Sequence, residues 1–205
     1  MNNISKILIA NRGEIAVRVM RTARDLGFRT VAVYSEADAG ALHVAEADQA
    51  VCIGPAAVGE SYLVADKILD AAKKTGADAI HPGYGFLSEN AEFSKACEAA
   101  GIVFIGPRAD AIELMGSKRL SKIAMLDAGV PCIPGYQDAD QSDETLLARA
   151  ADIGFPLMVK ASAGGGGRGM RLVFEQKELA EQIRTARSEA ESAFGSGELI
   201  LERAV

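Results

Sequence analysis

Between Lys6 and Ile105 the chain alternates short apolar runs with longer amphipathic stretches, and glycines close the amphipathic stretches at Gly27, Gly76 and Gly101. Strands are predicted at Lys6–Ala10, Thr30–Tyr34, Gln49–Ile53, Asp78–His81 and Ile102–Ile105. Helices are predicted over Glu14–Leu26, Tyr62–Lys74 and Glu89–Ala100. Strands separated by helices of this length cannot pair as tight hairpins. They pair in parallel through crossovers, and right-handed crossovers wind the sheet doubly. The expected fold class is therefore α/β, with a Rossmann-like parallel sheet over residues 1–115.

Residues 116–205 form a second expected domain with a different rhythm. Helices are predicted over Ser117–Ala128, Asp143–Asp152 and Lys177–Ser192, and strands over Leu157–Ala161, Met170–Phe174 and Glu198–Val205. The sequence stops on Ala204-Val205, inside an apolar strand. Natural domains rarely end that way, so the expectation is a piece of a longer protein.

Composition excludes some partners. With 22 basic and 28 acidic side chains the 205 residues carry a net charge of -6. Nucleic acid and anionic membranes both reward a basic surface, so neither is expected as a partner. No apolar run near the start is long enough for a signal peptide or a membrane span, which leaves the cytoplasm as the expected compartment. Cys52, Cys97 and Cys132 are odd in number, widely spaced and without a CxxC pair. They read as buried, reduced thiols. His43 reads as a surface or loop residue, and His81, at a strand end before Pro82, as a structural, hydrogen-bonded one.

Gly164 to Gly169 carries the chemistry-bearing signal. It contains G-x-G-x-x-G, but a dinucleotide fingerprint needs that pattern between a strand and a helix. Here the predicted strand Met170–Phe174 follows. Gly116-Ser117-Lys118-Arg119 lacks both the upstream glycine and the hydroxyl residue of a Walker A loop. A glycine-rich loop between two strands is a different device. Its backbone N–H groups can close over phosphates, and glycine allows close approach. The alternative is a flexible connection, against which stands the entropy lost on ordering four adjacent glycines. Lys160, at the end of the strand that leads into the loop, and Lys118, opening a helix, supply two cations for a nucleotide polyphosphate.

Several segments together resemble biotin carboxylase domains: Ile9-Ala10-Asn11-Arg12-Gly13-Glu14-Ile15-Ala16, Ala79-Ile80-His81-Pro82-Gly83-Tyr84-Gly85-Phe86-Leu87-Ser88-Glu89-Asn90, Phe104-Ile105-Gly106-Pro107, Met115-Gly116-Ser117-Lys118, and Lys160 through Arg171. The resemblance implies the biotin carboxylase component of an acyl-CoA carboxylase: a pre-ATP-grasp domain, then the first, incomplete part of an ATP-grasp domain. It implies a ligase that makes carboxyphosphate from ATP and bicarbonate and passes the carboxyl group to N1 of carrier-bound biotin. It implies that Lys118 and Lys160 bind ATP phosphates, that Gly166 and Gly167 donate backbone N–H groups, and that Met170 packs near the adenine. Glu202, Arg203 and Val205 are implied on the strand that reads the adenine edge, Arg203 through its backbone where many relatives carry lysine. Tyr84 and Gly85 are implied to line the biotin cleft, with Glu89 a weak catalytic candidate.

Magnesium (or manganese) is implied, with its carboxylate ligands, the bicarbonate-binding arginine and the general base all beyond Val205, so that these 205 residues alone do not turn over. A carrier domain and a carboxyltransferase are implied partners. Arg18, Arg21 and Asp25 on the first helix read either as a solvated charged face or as a homodimer contact. Two other readings stand beside this one: another ATP-grasp ligase, and a nucleotide-binding module without turnover.

Overall fold

The computed structural model describes residues 4–164 and 169–205. Its contacts divide the chain into two compact units, Met1–Ile112 and Glu113–Val205.

In the first unit, β1 (Lys6–Ile9), β2 (Arg29–Ser35), β3 (Gln49–Gly54), β4 (Ala79–His81) and β5 (Val103–Phe104) form one sheet in the order β3-β2-β1-β4-β5. Every neighbouring pair is parallel, with Ile7 opposite both Thr30 and Ala79. β1 is buried along its whole length, as a strand covered on both faces must be. On one face, α1 (Gly13–Asp25) sets Ala16, Met20 and Ala23 against Ile7, Ile9 and Ala32. On the other, α3 (Ala65–Thr75) and α4 (Ala91–Ala99) set Ile68, Ala72, Phe93 and Cys97 against Leu8, Val31 and Ile80. Each fully buried leucine or isoleucine in these layers contributes roughly 1.5–3 kcal/mol. The chain builds outward from β1 to β3, then returns to lay β4 and β5 on the other side. Strand order therefore reverses between β1 and β4, and ligand crevices in such sheets open beyond the carboxyl ends of the strands at that point.

In the second unit, β6 (Gly135–Tyr136), β7 (Leu157–Ala161), β8 (Met170–Val173) and β9 (Leu199–Arg203) pair antiparallel in the order β6-β9-β7-β8. Alternation along the strands sends Leu157, Val159, Leu199 and Leu201 to one face. There α7 (Asp143–Ile153) and α8 (Gln176–Phe194) cover them with Leu146, Leu179 and Ile183. Glu202 and Lys160 point to the opposite face, which α6 (Lys118–Asp127) meets.

The structure corrects four expectations. His43 is fully buried on α2 (Leu42–Glu46), a helix the sequence pattern did not suggest. Tyr62 is not helical; α3 starts at Ala65. Glu89 precedes α4, whose cap is Asn90: its shorter side chain accepts the Phe93 N–H at 2.8 Å. Of the three free thiols only Cys97 is buried; Cys52 is exposed and Cys132 intermediate. A further helix, α5 (Ala109–Gly116), spans the division between the units.

Candidate functional site

The first unit carries one cluster of predicted residues at the point where its strand order reverses. Asn11 follows β1 and is buried to 2% exposure. Its Nδ2 donates to the carbonyls of Pro82 and Tyr84, both at 2.9 Å, and its Oδ1 accepts the Arg12 N–H at 2.9 Å. One side chain thus ties the end of β1 to the loop after β4. Nδ1 of His81 accepts the Gly83 N–H at 3.0 Å, and burial holds its ring below the usual histidine range. His81 is structural here, as the sequence suggested. Gly83 has φ 68, and a Cβ on it would fall 2.6 Å from the Asn11 amide. No residue with a side chain fits there.

Phe86 fixes the far side of this loop. Its ring stacks on Tyr62 at 5.1 Å, and the Arg12 guanidinium sits over both rings. Its own φ of 45 is unusual for a bulky residue. The Tyr62 hydroxyl donates to Asp38 at 2.7 Å and accepts the Ser35 N–H at 3.0 Å. Burial, with Asp38 beside it, pushes that hydroxyl up to about 12. Burial pushes the Asp38 carboxyl the other way from its neighbours, but Tyr62, Ser35 and Arg12 outweigh it and hold it below the usual range. Between these anchors Tyr84 and Gly85 stand exposed, with open space where a Gly85 Cβ would lie. Glu89 is exposed and lies past the loop, outside this cluster.

The second unit gathers Lys118, Lys160, Met170 and Glu202 around one cavity of about 430 Å³. Ser117 caps α6 by accepting the Leu120 N–H at 3.2 Å, and the Lys118 N–H donates to the Ser162 carbonyl at 2.9 Å. The start of α6 is therefore stitched to the residues just after β7. From there Lys118 Nζ donates to the Gly164 carbonyl. Burial, and then the neighbouring Lys160, hold Lys118 below the usual lysine range.

Glu202 is the hub. Its Oε2 meets Lys160 at 2.5 Å and its Oε1 meets Lys122 at 2.8 Å. Burial raises this carboxyl, but the two ammonium groups outweigh it and keep it below the usual range. Lys122 was not singled out from the sequence. It stands one helical turn after Lys118, and that i, i+4 spacing was the available signal.

The other predicted residues are placed elsewhere. The Arg203 guanidinium donates to the Ile153 carbonyl at 3.0 Å and its backbone N–H to Pro134 at 2.9 Å. Its side chain lines a different cleft, beside Tyr136 and Asp152. Val205 is fully exposed. Gly166 and Gly167 lie outside the described residues. A cavity lined by three lysines and by Met115, Met125 and Met170 suits a flat apolar ring with an attached polyanion. Among the described residues no group of three or more His, Cys, Asp or Glu side chains is placed to hold a metal ion, and no helix is long and apolar enough to cross a membrane.

Comparison with known proteins places both units. Residues 3–112 match the family model for the biotin carboxylase N-terminal domain, and residues 117–205 that for the ATP-binding domain of the carbamoyl-phosphate synthase L chain. The chain is 56% identical over 200 residues to the mitochondrial methylcrotonoyl-CoA carboxylase subunit alpha of Dictyostelium discoideum, covering 98% of this chain and 29% of that one. It is 52% identical to biotin carboxylase 1 of Bacillus subtilis, covering 98% of this chain and 44% of that one. Among solved structures, the biotin carboxylase domain dimer of Hydrogenobacter thermophilus 2-oxoglutarate carboxylase, in complex with MgADP, ADP and bicarbonate, aligns at a TM-score of 0.93 and 48% identity. That alignment covers 100% of this chain and 45% of that one. The Campylobacter jejuni biotin carboxylase–βγ-ATP complex aligns at a TM-score of 0.94 and 48% identity, covering 99% and 46%. The chain spans less than half the length of each of these proteins.

Proposed function

The chain belongs to the biotin carboxylase family, and from that premise we propose that the protein uses ATP and bicarbonate to carboxylate carrier-bound biotin, as the biotin carboxylase part of an acyl-CoA carboxylase. The observation that carries this reading is the pair of lysines on the Glu202 carboxylate, facing a cavity that Lys118, bonded to the Gly164 carbonyl, also lines. A bicarbonate oxygen attacks the γ-phosphorus and ADP leaves; the carboxyphosphate then loses phosphate as its carboxyl carbon bonds to N1 of biotin, whose proton passes to the released phosphate. Such a transfer depends on positioning and on charge stabilisation more than on covalent help from the protein.

In this reading Lys118 and Lys160 hold the phosphates, and Gly166 and Gly167 close over them with backbone N–H groups. Met170 packs against the adenine, and Glu202 and Arg203 on β9, with Val205 two residues past the strand's end, border it. Tyr84 and Gly85 line the biotin cleft, on the loop clamped by Asn11, and Glu89 is retained only as a weak catalytic candidate. A lysine held below its usual range by burial and a like charge gains by meeting a phosphate, so the cavity fits a nucleotide. The metal's carboxylate ligands, the general base and the bicarbonate-binding arginine are proposed to lie beyond Val205. When bound, the metal would supply positive charge that offsets the charge developing on the phosphates. By themselves the 205 residues are proposed to be inactive.

A biotin carrier domain and a carboxyltransferase are the proposed partners, and a homodimer is supported by the dimer of the Hydrogenobacter domain. The methylcrotonoyl-CoA carboxylase subunits among the relatives support an acyl-CoA acceptor. A reducing compartment suits the exposed Cys52 thiol, and the cytoplasm is the proposed location.

The test is ADP release by the full-length protein with MgATP and bicarbonate, with and without free biotin. The expected result is biotin-stimulated release that falls by about a hundredfold in Lys118→Ala or Lys160→Ala, the scale of losing one charge-stabilising group. Release that ignores biotin would move the protein to another ATP-grasp ligase. Nucleotide binding with no release would make it a binding module.

A further inference from the structure

Lys122 is 7% exposed and lies on the cavity wall one helical turn from Lys118. A buried lysine is rare unless paired, and this one is paired with a carboxylate that a second lysine already holds. Glu202 Oε1 takes Lys122 at 2.8 Å and Oε2 takes Lys160 at 2.5 Å. Room for the Lys122 ammonium is made by β6. A Cβ on Gly135 would fall 2.7 Å from Lys122 Nζ and would also clash with the Leu201 carbonyl. Gly135 and Glu202 are register partners across the β6–β9 ladder, so the space and the charge come from one pair of residues.

We infer that Lys122 is a positioning residue of the nucleotide site: it keeps Glu202 paired when Lys160 leaves that carboxylate for a phosphate. The inference rests on the nucleotide reading above and assigns a role to a residue that reading does not use. The physical argument is an exchange of partners. A phosphate drawn to Lys160 competes with Glu202, 2.5 Å away, for the charge of that one ammonium. If Lys160 were the only partner of Glu202, its departure would leave an anion buried and alone, next to an incoming polyanion. Breaking a buried pair by removing one member is far more costly than the pair is worth. With Lys122 in place, Glu202 stays neutralised, and the departing lysine carries its full charge to the ligand.

The test is isothermal titration of the full-length protein with MgADP. Lys122→Met should weaken binding by about tenfold or more. On a Glu202→Gln background the further change Lys122→Met should cost no more than about threefold relative to Glu202→Gln alone, because no buried carboxylate is left to retain Lys160. Lys122→Arg should bind as wild type does. A residue with a merely structural role gives a different pattern: a lower Tm in Lys122→Met with unchanged MgADP affinity, which overturns the inference. A loss on Lys122→Met that persists on the Glu202→Gln background also overturns it. Should Lys122→Met not fold, Lys122→Gln, which can still donate one hydrogen bond to Glu202, carries the same expectation on both backgrounds. Failure of the wild-type protein to bind MgADP at all would instead overturn the nucleotide reading, and this inference with it.

Discussion

Asn11 uses a single side chain to satisfy two carbonyls of one loop and the backbone N–H of another. Nothing smaller can replace it, because the carbonyls of Pro82 and Tyr84 would lose their donor in a buried place. Asn11→Ala is expected to lower stability by about 1–3 kcal/mol. Asn11→Asp should be worse than alanine despite its matching shape, since it turns an acceptor toward two acceptors. Urea melts of the three proteins check the order, and hydrogen exchange over residues 82–88 should quicken in both variants. This residue was legible only through the resemblance, because a polar residue after a strand ordinarily reads as a turn. Lys118 and Lys160 were legible because each borders a punctuated glycine segment. Lys122 was not, because a lysine among helical residues ordinarily reads as solvated, and only the fold turns it inward onto Glu202. His43 was misread for a related reason: its burial comes from packing of α2 that no local periodicity announces.

Among the elements, β1, β2, β7 and α1 follow the apolar pattern closely, because burial on both faces or along one stripe leaves a strong period. α3 shows where the pattern misleads. Tyr62, Leu63 and Val64 extend its apolar spacing, but the Tyr62 hydroxyl is drawn to Asp38 and Ser35 and the helix waits until Ala65. The two-residue strand β6 was invisible because its pairing partner, β9, lies far along the chain. Gly169, just before β8, offers a test at this scale. Gly169 has φ 67, and a Cβ there would fall 2.9 Å from the Ala161 Cβ; Gly101 has φ 71 with open space around it. Gly101→Ala should lower stability by about 1 kcal/mol, the penalty of the backbone conformation alone. Gly169→Ala should lose about 2–4 kcal/mol, since the clash adds to that penalty. Equal losses in denaturant melts would mean that Ala161 moves aside freely.

For the molecule as a whole, acid sensitivity follows from groups in both units. Burial sets the His43 and His81 rings below 6.5, and neither ring nitrogen of His43 has a hydrogen-bond partner among the described residues. As pH falls below 6.5 the unfolded chain takes up protons that the folded one refuses, so stability declines. Asp38 and Glu202 are held below 3.8 and 4.5 respectively. Their contribution is present above those values and is lost as pH falls through the lower folded ones. Tm should therefore be highest near neutrality, decline gently from about pH 6.5 to 5, and drop steeply below about 4. Calorimetry across that range checks the two limbs, and His43→Leu should flatten the upper limb while leaving the lower one.

The three thiols, described above only by their depth, also form a graded set of chemical reporters. Cys52 lies on the open surface of the first unit, Cys132 on the wall of the lysine-lined cavity in the second, and Cys97 in the first unit's interior with its thiol pushed up to about 11. An alkylating agent at neutral pH reads these as three clocks. The Cys52 clock reports accessible surface, the Cys132 clock reports occupancy of the cavity, and the Cys97 clock starts only when the first unit opens. A peptide map of one time course then separates ligand protection from unfolding without any introduced label.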